Sequence, residues 1–269
     1  MQWELLTGPE FAKAVKETNV CLIPMGVLER HGEHLPVGTD MLAAHKICCL
    51  AAEREPAIVF PPWFFGQIYE ARAFPGCVTL KPTLLLTVIE AVCDEIGRNG
   101  IEKIMFVNGH CGNKNLLPFI AQCSLSEPKP YSIYTPVGKL SPEREKRWNE
   151  ILETIEHGHA CECETSVFLS LFPELVKMDT VWEKPATAMG RMNKVGGLFA
   201  GISWYADYPE HYAGDARCAT AEKGRELLKL RVDTLAEYIA AVKADKVAPA
   251  LEAEFFKRAA DPCGKKKRK

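Results

Sequence analysis

An apolar run over residues 20–28 leads directly into a polar segment with the sequence ERHGEHLPVGTD, residues 29–40. The run predicts a buried strand, and in an extended backbone Glu29 and His31 point to the same side. Asp40 follows a turn rich in glycine and proline, at the start of a predicted helix. Two carboxylates and an imidazole are ligands suited to a divalent ion of hard or borderline character. The segment therefore favours a hydrolytic metalloenzyme.

Predicted strands and helices alternate through the first half of the chain. The strands are predicted at residues 20–29, 57–60, 102–107 and 131–134, and the helices between them at 40–54, 83–98 and 114–124. Helices of this length between strands imply right-handed crossovers and a mainly parallel sheet. Ligands of such sheets bind beyond the carboxyl ends of the strands, which is where Glu29, His31 and His110 are expected.

The second half of the chain is less regular. The pattern predicts helices at residues 141–155 and 219–243, with an irregular stretch at 177–209 between them. We expect a single domain over residues 1–245, followed by a C-terminal extension, 246–269, that ends in a basic tail.

Charge and cysteine content limit the classes of function. A formal net charge of -2 argues against a broad nucleic-acid interface. The eleven cysteines, an odd number, are more typical of free thiols in a reducing compartment than of a disulfide framework. The N-terminus lacks the pattern of a signal peptide, and no apolar run is long enough to span a bilayer. We therefore expect a cytoplasmic protein.

Four further motifs accompany the opening segment. They are FPGCVTL at 74–80, NGHCGN at 108–113, HGHACECETS at 157–166, and GD at 214–215 followed by ATAEKG at 219–224. In this order, over about residues 20–230, the motifs resemble those of the creatininase (creatinine amidohydrolase) family. The resemblance implies an α/β fold, a three-layer α/β/α sandwich with a mainly parallel sheet, and a hydrolase that uses two divalent metal ions.

The resemblance also implies which residues hold the ions. One ion would be bound by Glu29, Asp40 and His110, and the second by His31, a bridging Asp40 and one more carboxylate. Zn²⁺ is the expected ion, with Mn²⁺ or Fe²⁺ as alternatives, since shells of oxygen and imidazole accept all three.

The last ligand of the second ion departs from the family pattern. In creatininase proper it is a glutamate two residues after the histidine of NGH, where this chain has Gly112. Glu162 is predicted to replace it, with Glu164 as the competing choice. His159 matches the catalytic histidine of the family, and Glu164 is assigned beside it as a catalytic residue.

The substrate site also departs from the family. Many members have Glu-His before the FPG motif, where this chain has the sequence EARA at residues 70–73. The absent histidine argues against creatinine as the substrate, and Arg72 can donate several hydrogen bonds to a polyhydroxylated or anionic molecule. The candidate substrate-binding residues are Glu70, Arg72, Cys111 and Trp182.

Three functions remain open at this point. The first is hydrolysis of a C–N bond in a small cyclic or formyl amide, in which two ions about 3.5–4 Å apart activate a water and His159 protonates the leaving group. The second is hydrolysis of a C–C bond in a keto-cyclitol such as 3-dehydro-scyllo-inosose. The third is a non-catalytic metal-binding or maturation protein. We expect a small-molecule substrate, no nucleic-acid or membrane partner, and a homo-oligomer, trimeric or hexameric as the resemblance implies.

Overall fold

The computed structural model of the chain describes residues 1–137 and 140–264. The strands of this part are β1 (Val20–Met25), β2 (Ile58–Val59), β3 (Lys103–Asn108), β4 (Ser132–Tyr134), β5 (His157–His159) and β6 (Ala213–Gly214). The first four form one sheet in the order β2-β1-β3-β4, and every pair in it is parallel. Strands β5 and β6 form a separate antiparallel pair.

The helices lie between and after the strands. They are α1 (Gly8–Thr18), α2 (Thr39–Arg54), α3 (Pro82–Arg98), α4 (Leu116–Cys123), α5 (Pro142–Ile151), α6 (Glu162–Leu171), α7 (Ser203–Asp207), α8 (Ala221–Ala244) and α9 (Val247–Ala259).

Both faces of the central sheet are covered by helices. Strand β1 is buried along its whole length, and its alternate side chains enter two different cores. Cys21, Ile23 and Met25 pack with residues of α1, α3 and α4 on one face. Val20 and Leu22 pack with residues of α2 and α8 on the other. This arrangement confirms the predicted three-layer α/β/α sandwich.

Local sequence signals explain where several helices begin. Proline occupies the first position of α3 and α5, where its missing N–H leaves no hydrogen bond unmade. The Thr220 side chain accepts a hydrogen bond from the Lys223 backbone N–H and caps α8. These helices start within two residues of the predicted positions, as do the parallel strands β1 to β4.

Some predicted boundaries are wrong. Strand β1 ends at Met25 rather than at residue 29, because β1 and β3 end together at the pair Met25–Asn108. The helix predicted over 141–155 ends at Ile151, and the stretch predicted as irregular contains the short helix α7. In the C-terminal extension, α9 contacts β4. The basic tail, residues 265–269, lies outside the described residues, and the division at residue 245 stays a prediction.

All eleven cysteines are free, which confirms the prediction of free thiols. Within the described ranges, no helix is both long and apolar enough to cross a membrane. The cytoplasmic location stays a prediction.

Candidate metal centre

Four predicted ligands meet at one edge of the central sheet. Glu29 and His31 follow β1, Asp40 lies in the first turn of α2, and His110 follows β3. All four are buried, with Glu29 only 1% exposed and Asp40 5%. The predicted convergence of polar side chains beyond the carboxyl ends of the strands is therefore present in the fold.

Two glycines allow α2 to approach this edge. A Cβ on Gly26, directly after β1, would overlap the backbone of Asp40 and Met41. A Cβ on Gly109, after β3, would lie 2.9 Å from the Asp40 carbonyl oxygen. The N-terminus of α2 consequently rests against both strand ends, which brings the Asp40 carboxylate within reach of the two histidines.

The Asp40 carboxylate lies between two imidazoles. Its Oδ1 is 3.1 Å from His31 Nε2, and its Oδ2 is 3.1 Å from His110 Nδ1. Glu29 Oε1 is 2.7 Å from the same His110 nitrogen. Each carboxylate oxygen of Asp40 thus faces a different histidine, as a bridging ligand requires.

Two carboxylate oxygens of the cluster lack a hydrogen bond. Glu29 Oε1 and Asp40 Oδ2 are buried and accept no hydrogen bond from any described residue. Buried polar atoms nearly always have a partner, and a buried charge without one is strongly destabilising. A divalent cation between these oxygens and His110 Nδ1 would satisfy both, so the donor set fits a metal ion.

Backbone carbonyls orient both histidines. His31 Nδ1 lies 3.2 Å from the Glu29 carbonyl oxygen, and His110 Nε2 lies 2.9 Å from that of Gln67. A ring N–H that donates to a carbonyl leaves the other nitrogen with its lone pair, which is the usual arrangement for metal-binding histidines. The nitrogens left free are those that face the carboxylates.

The electrostatics of the cluster favour positive charge. Burial opposes ionisation of Glu29, but the nearby His159 and His110 outweigh it and hold the pKa of Glu29 well below its usual range. Burial opposes protonation of His31, but the adjacent Asp40 carboxylate raises the pKa of His31 to about 10. The carboxylates therefore stay ionised and require cations, which either protonated imidazoles or metal ions supply.

His159, the predicted catalytic histidine, lies beside the cluster. Its ring centroid is 4.3 Å from that of His31, and its Nε2 is 2.7 Å from the Arg30 carbonyl oxygen. Burial lowers the pKa of His159, and the nearby Glu29 carboxylate opposes that effect. His159 also falls within one compact group of possible metal ligands with Glu29 and His31.

His211 was missed from the sequence. Its Nε2 lies 2.5 Å from Glu29 Oε2, and the indole N–H of Trp204 donates to its Nδ1 at 3.3 Å. An indole nitrogen can only donate, so His211 carries its proton on Nε2 and donates it to Glu29. The available signal was the position of His211, three residues before the Gly214-Asp215 motif.

Comparisons with known proteins agree with this architecture. The family model for creatininase, creatinine amidohydrolase, matches residues 4–239 of the chain. The chain belongs to the creatininase family.

Three curated relatives of this family member are hydrolases. Creatinine amidohydrolase of Pseudomonas putida is 26% identical over 87% of this chain and 94% of its own. A mycofactocin precursor peptide peptidase of Mycolicibacterium smegmatis is 30% identical over 81% of this chain and 83% of its own. A 3-dehydro-scyllo-inosose hydrolase of Thermotoga maritima is 25% identical over 88% of this chain and 82% of its own. The chain is thus a creatininase-family hydrolase.

A solved creatininase has the same fold. The crystal structure of a creatinine amidohydrolase superimposes with a TM-score of 0.77 at 23% identity and covers 91% of this chain and 98% of its own. This likeness confirms the fold expected from the family motifs.

The prediction that Glu162 binds the second metal ion is wrong. The Glu162 carboxylate accepts hydrogen bonds from the backbone N–H groups of Glu153 and Thr154, at 3.0 and 2.8 Å, and from Lys223 Nζ at 2.5 Å. It is fully buried in this ion pair, which lowers its pKa against the effect of burial. These hydrogen bonds occupy its oxygens, and Glu162 belongs to none of the groups of possible metal ligands among the described residues.

Glu164 lies on the other side of the same helical turn. Successive residues of a helix are about 100° apart, so residues 162 and 164 point in nearly opposite directions. Glu164 lines a 320 Å³ cavity together with Asp40 and His110, and its Oε2 accepts a hydrogen bond from the Ala160 N–H. Its catalytic role stays a prediction, and its position also suits the competing role of second-metal ligand.

Gly112 occupies the position of the family's glutamate for a steric reason. A Cβ there would overlap His110 Nε2 and lie 2.7 Å from Gln67 Oε1. The space that a side chain would need is taken by the contact between His110 and Gln67. This member of the family cannot place a ligand at residue 112 without losing that contact.

A larger cavity of 650 Å³ opens onto the centre from the other side. Two of the predicted substrate-binding residues, Glu70 and Cys111, line it beside His159 and His211. The other two do not line it, and their role in substrate binding stays a prediction. Arg72 is exposed and lies outside the cavity lining, and the Trp182 ring packs 5.2 Å from that of Tyr212 in a buried cluster.

Proposed function

We propose that this chain is a two-metal hydrolase that cleaves the C–N bond of an amide. The observation that carries the proposal is the pair of buried, unsatisfied oxygens, Glu29 Oε1 and Asp40 Oδ2, beside His110 Nδ1. These atoms form a site for a cation at the end of a cavity large enough for an organic substrate.

The donor set divides into two groups around Asp40. Glu29, Asp40 and His110 would hold one ion, and His31, Asp40 and Glu164 the other. The position of Glu164 supports its part, since its charge contributes to the raised pKa of His31. Among solved creatininases of similar fold, one is a zinc–zinc form and another a manganese form. When bound, two such ions lower the pKa of a shared water and polarise the substrate carbonyl.

His159 is suited to carry the proton of the reaction. Its Nε2–H donates to the Arg30 carbonyl, so Nδ1 keeps a lone pair. In its neutral form the ring can accept a proton at Nδ1 from the attacking water and then pass it to the amide nitrogen as the C–N bond breaks. The leaving nitrogen gains the proton that the water lost, the water's hydroxyl stays on the carbonyl carbon, and an amine and a carboxylic acid are formed.

The cavity supports an amide with an apolar part. Its wall contains Leu85, Leu86, Leu116 and Phe119, and the polar Glu70 carboxylate accepts a hydrogen bond from Gln67 Nε2 at 2.8 Å. A volume of 650 Å³ exceeds the needs of a small ring and is within the range used for drug-sized ligands. This observation makes a short peptide amide the second candidate substrate, after a small cyclic or formyl amide.

The alternative of a keto-cyclitol has less support from the site. It rested on Arg72, which is exposed and outside the cavity lining. The relative named for such a substrate is 25% identical to this chain, slightly below the identity of the two amide hydrolases. We retain it as a class to be assayed.

The proposal is tested by turnover of the metal-loaded protein. The full chain is depleted of metal, reloaded with Zn²⁺ or Mn²⁺, and assayed against lactams, formamides, short peptides and keto-inositols by detection of new amines and acids. We expect release of an amine from at least one amide class and its loss in Asp40→Asn. Glu33→Gln, a change at an exposed carboxylate of the same segment, serves as the matched control and should retain activity.

Two results would contradict the proposal. If only keto-inositols are turned over, the reaction is hydrolysis of a C–C bond rather than of a C–N bond. Tight metal binding with no turnover of any substrate class would indicate a metal-binding protein without catalytic function.

A further inference from the structure

A second group of possible metal ligands lies apart from the carboxylate cluster. It consists of His157, Cys161 and Cys163, each of which offers one ligand atom within 4.8 Å of the other two. None of these residues belongs to the centre described above, and the group contains sulfur where that centre contains oxygen. We name it the sulfur cluster.

We propose that the sulfur cluster is a separate binding site for one thiophilic divalent cation, of which Zn²⁺ is the natural example. The two thiols supply thiolate ligands and the imidazole supplies a nitrogen. The fourth position is left to a water molecule, because His157 lies at the protein surface while both cysteines are buried. Two cysteines and one histidine with a solvent position form a known type of zinc shell.

The spacing of the sulfur atoms fits a shared ion. Cys161 Sγ and Cys163 Sγ are 3.4 Å apart. Two thiolates bound tetrahedrally at about 2.3 Å from Zn²⁺ are about 3.8 Å apart, which requires a small outward movement from the observed positions. A disulfide, with an S–S bond of about 2.05 Å, requires a larger inward one.

The surroundings of the cluster favour ligation. His157 Nδ1 is 3.4 Å from Thr154 Oγ1, which donates its own hydrogen to Glu162. The hydroxyl oxygen is then left to accept from Nδ1–H, and Nε2 keeps a lone pair for a cation. Cys161 is the N-cap residue of α6 and Cys163 lies in its first turn, where the helix dipole stabilises thiolates.

The proton balance of binding is simple. In the metal-free protein the two cysteines are free thiols, and one donates a hydrogen bond to the sulfur of the other. The arriving ion displaces two protons to solvent and forms two metal–sulfur bonds and one metal–nitrogen bond. No oxidant or reductant takes part.

The position of the site suggests its purpose. Residues 157–163 include His159, and Glu164 follows directly. An ion bound by residues 157, 161 and 163 would fix the backbone that carries both of these catalytic candidates. Binding of the ion would therefore support the centre that the site adjoins in sequence.

Cd²⁺ provides a direct test, because thiolate ligation of Cd²⁺ gives a sulfur-to-metal charge-transfer band in the ultraviolet. The reduced, metal-depleted full chain is titrated with Cd²⁺. We expect a band that saturates at one ion per chain, persists in Asp40→Asn, and is lost in the double variant Cys161→Ser/Cys163→Ser. Cys111→Ser, which removes the exposed thiol beside the carboxylate centre, should leave the band unchanged.

Two further measurements keep the test decisive if the double variant fails to fold. His157→Ala changes a surface imidazole and should weaken Cd²⁺ binding. Loss of a residue that only supports a ligand typically costs about 10–100-fold in affinity, and loss of a ligand should cost at least as much. ¹¹³Cd NMR of the unmodified chain should show a resonance in the range of sulfur-rich shells. The proposal would be overturned if the charge-transfer band were the same in the double cysteine variant and in His157→Ala as in the unmodified chain. A Cys161–Cys163 disulfide that survives reductant and excludes Cd²⁺ would also overturn it.

Discussion

His211 Nε2 lies 2.5 Å from Glu29 Oε2, although 182 residues separate the two side chains in the sequence. This contact occupies one oxygen of Glu29 and leaves the other, Oε1, facing His110 Nδ1 at 2.7 Å. His211 therefore acts as a positioning residue that determines which oxygen of Glu29 is free for a metal ion.

We expect His211→Ala to lower the affinity for the first metal ion by about 10–100-fold, the usual effect of removing a partner of a ligand. His211→Gln, which can still donate to Glu29, should recover part of the loss. Competition with a chromogenic chelator measures the affinity. His45→Ala, a histidine whose ion-pair partner is Glu4, is the control. Equal affinity in His211→Ala and the unmodified chain would show that the contact has no such role.

The bridging position of Asp40 predicts unequal effects of two carboxylate changes. Asp40→Ala should remove both ions, since its oxygens face His31 and His110 separately. Glu29→Ala should empty chiefly one metal position, because Glu29 Oε1 lies closer to His110 Nδ1 than to His31 Nε2. Elemental analysis after dialysis gives the count, with Glu33→Ala as the control. Unchanged metal content in Asp40→Ala would refute the bridging role.

The Glu162–Lys223 ion pair predicts a loss of stability without a loss of metal. Lys223→Met leaves a buried carboxylate without its cation, which typically costs about 3–5 kcal/mol in the free energy of unfolding. Urea unfolding at pH 7 measures this cost. Metal content should stay the same, whereas Glu164→Gln should lower it. Loss of metal in Lys223→Met, in protein that remains folded, would return Glu162 to the ligand set.

The same pair predicts a dependence on pH. The contact with Lys223 lowers the pKa of Glu162 in the folded state against the effect of burial, so the pair stabilises the fold above the ordinary glutamate pKa of about 4.3. The stabilisation is lost as the pH falls through the lower folded-state pKa. The difference in unfolding free energy between the unmodified chain and Lys223→Met should therefore shrink in acid. A difference that grows below pH of about 4 would have the wrong sign.

Gly112 predicts a steric block to the family's usual ligand. Gly112→Ala should weaken metal binding, because its Cβ overlaps His110 Nε2 and disrupts the contact with the Gln67 carbonyl. Gly112→Glu should likewise fail to restore the second ion in a Glu164→Gln background. Gly8→Ala, where a Cβ meets nothing within 4 Å, is the matched control. Recovery of the second ion by Gly112→Glu would show that the loop adapts to a side chain.

The fold was accessible from the sequence because its signals are local. Apolar runs and helical spacing mark the parallel strands and their crossovers, and proline marks the first position of α3 and α5. Glu29, His31 and His110 could be placed together for the same reason, since each directly follows a strand and such strand ends share one edge of the sheet.

The errors arise where distant segments decide. Glu162 and Glu164 lie on opposite sides of one helical turn, and their sequence positions do not show which of them faces the metal centre. Glu162 pairs with Lys223, which lies 61 residues later in the sequence. His211 reaches Glu29 from a short loop before β6 rather than from a strand of the main sheet. Trp182 lies in an irregular stretch, where no periodicity reveals that its ring enters the core.

The wide separation of the groups around Glu29, from β1 to His211, has a consequence for biosynthesis. A chain emerging from the ribosome cannot assemble the complete carboxylate centre until the segment containing residue 211 has been translated and has docked. Metal binding to the complete centre must then follow folding, and the ion stabilises the folded protein because it binds only the native state.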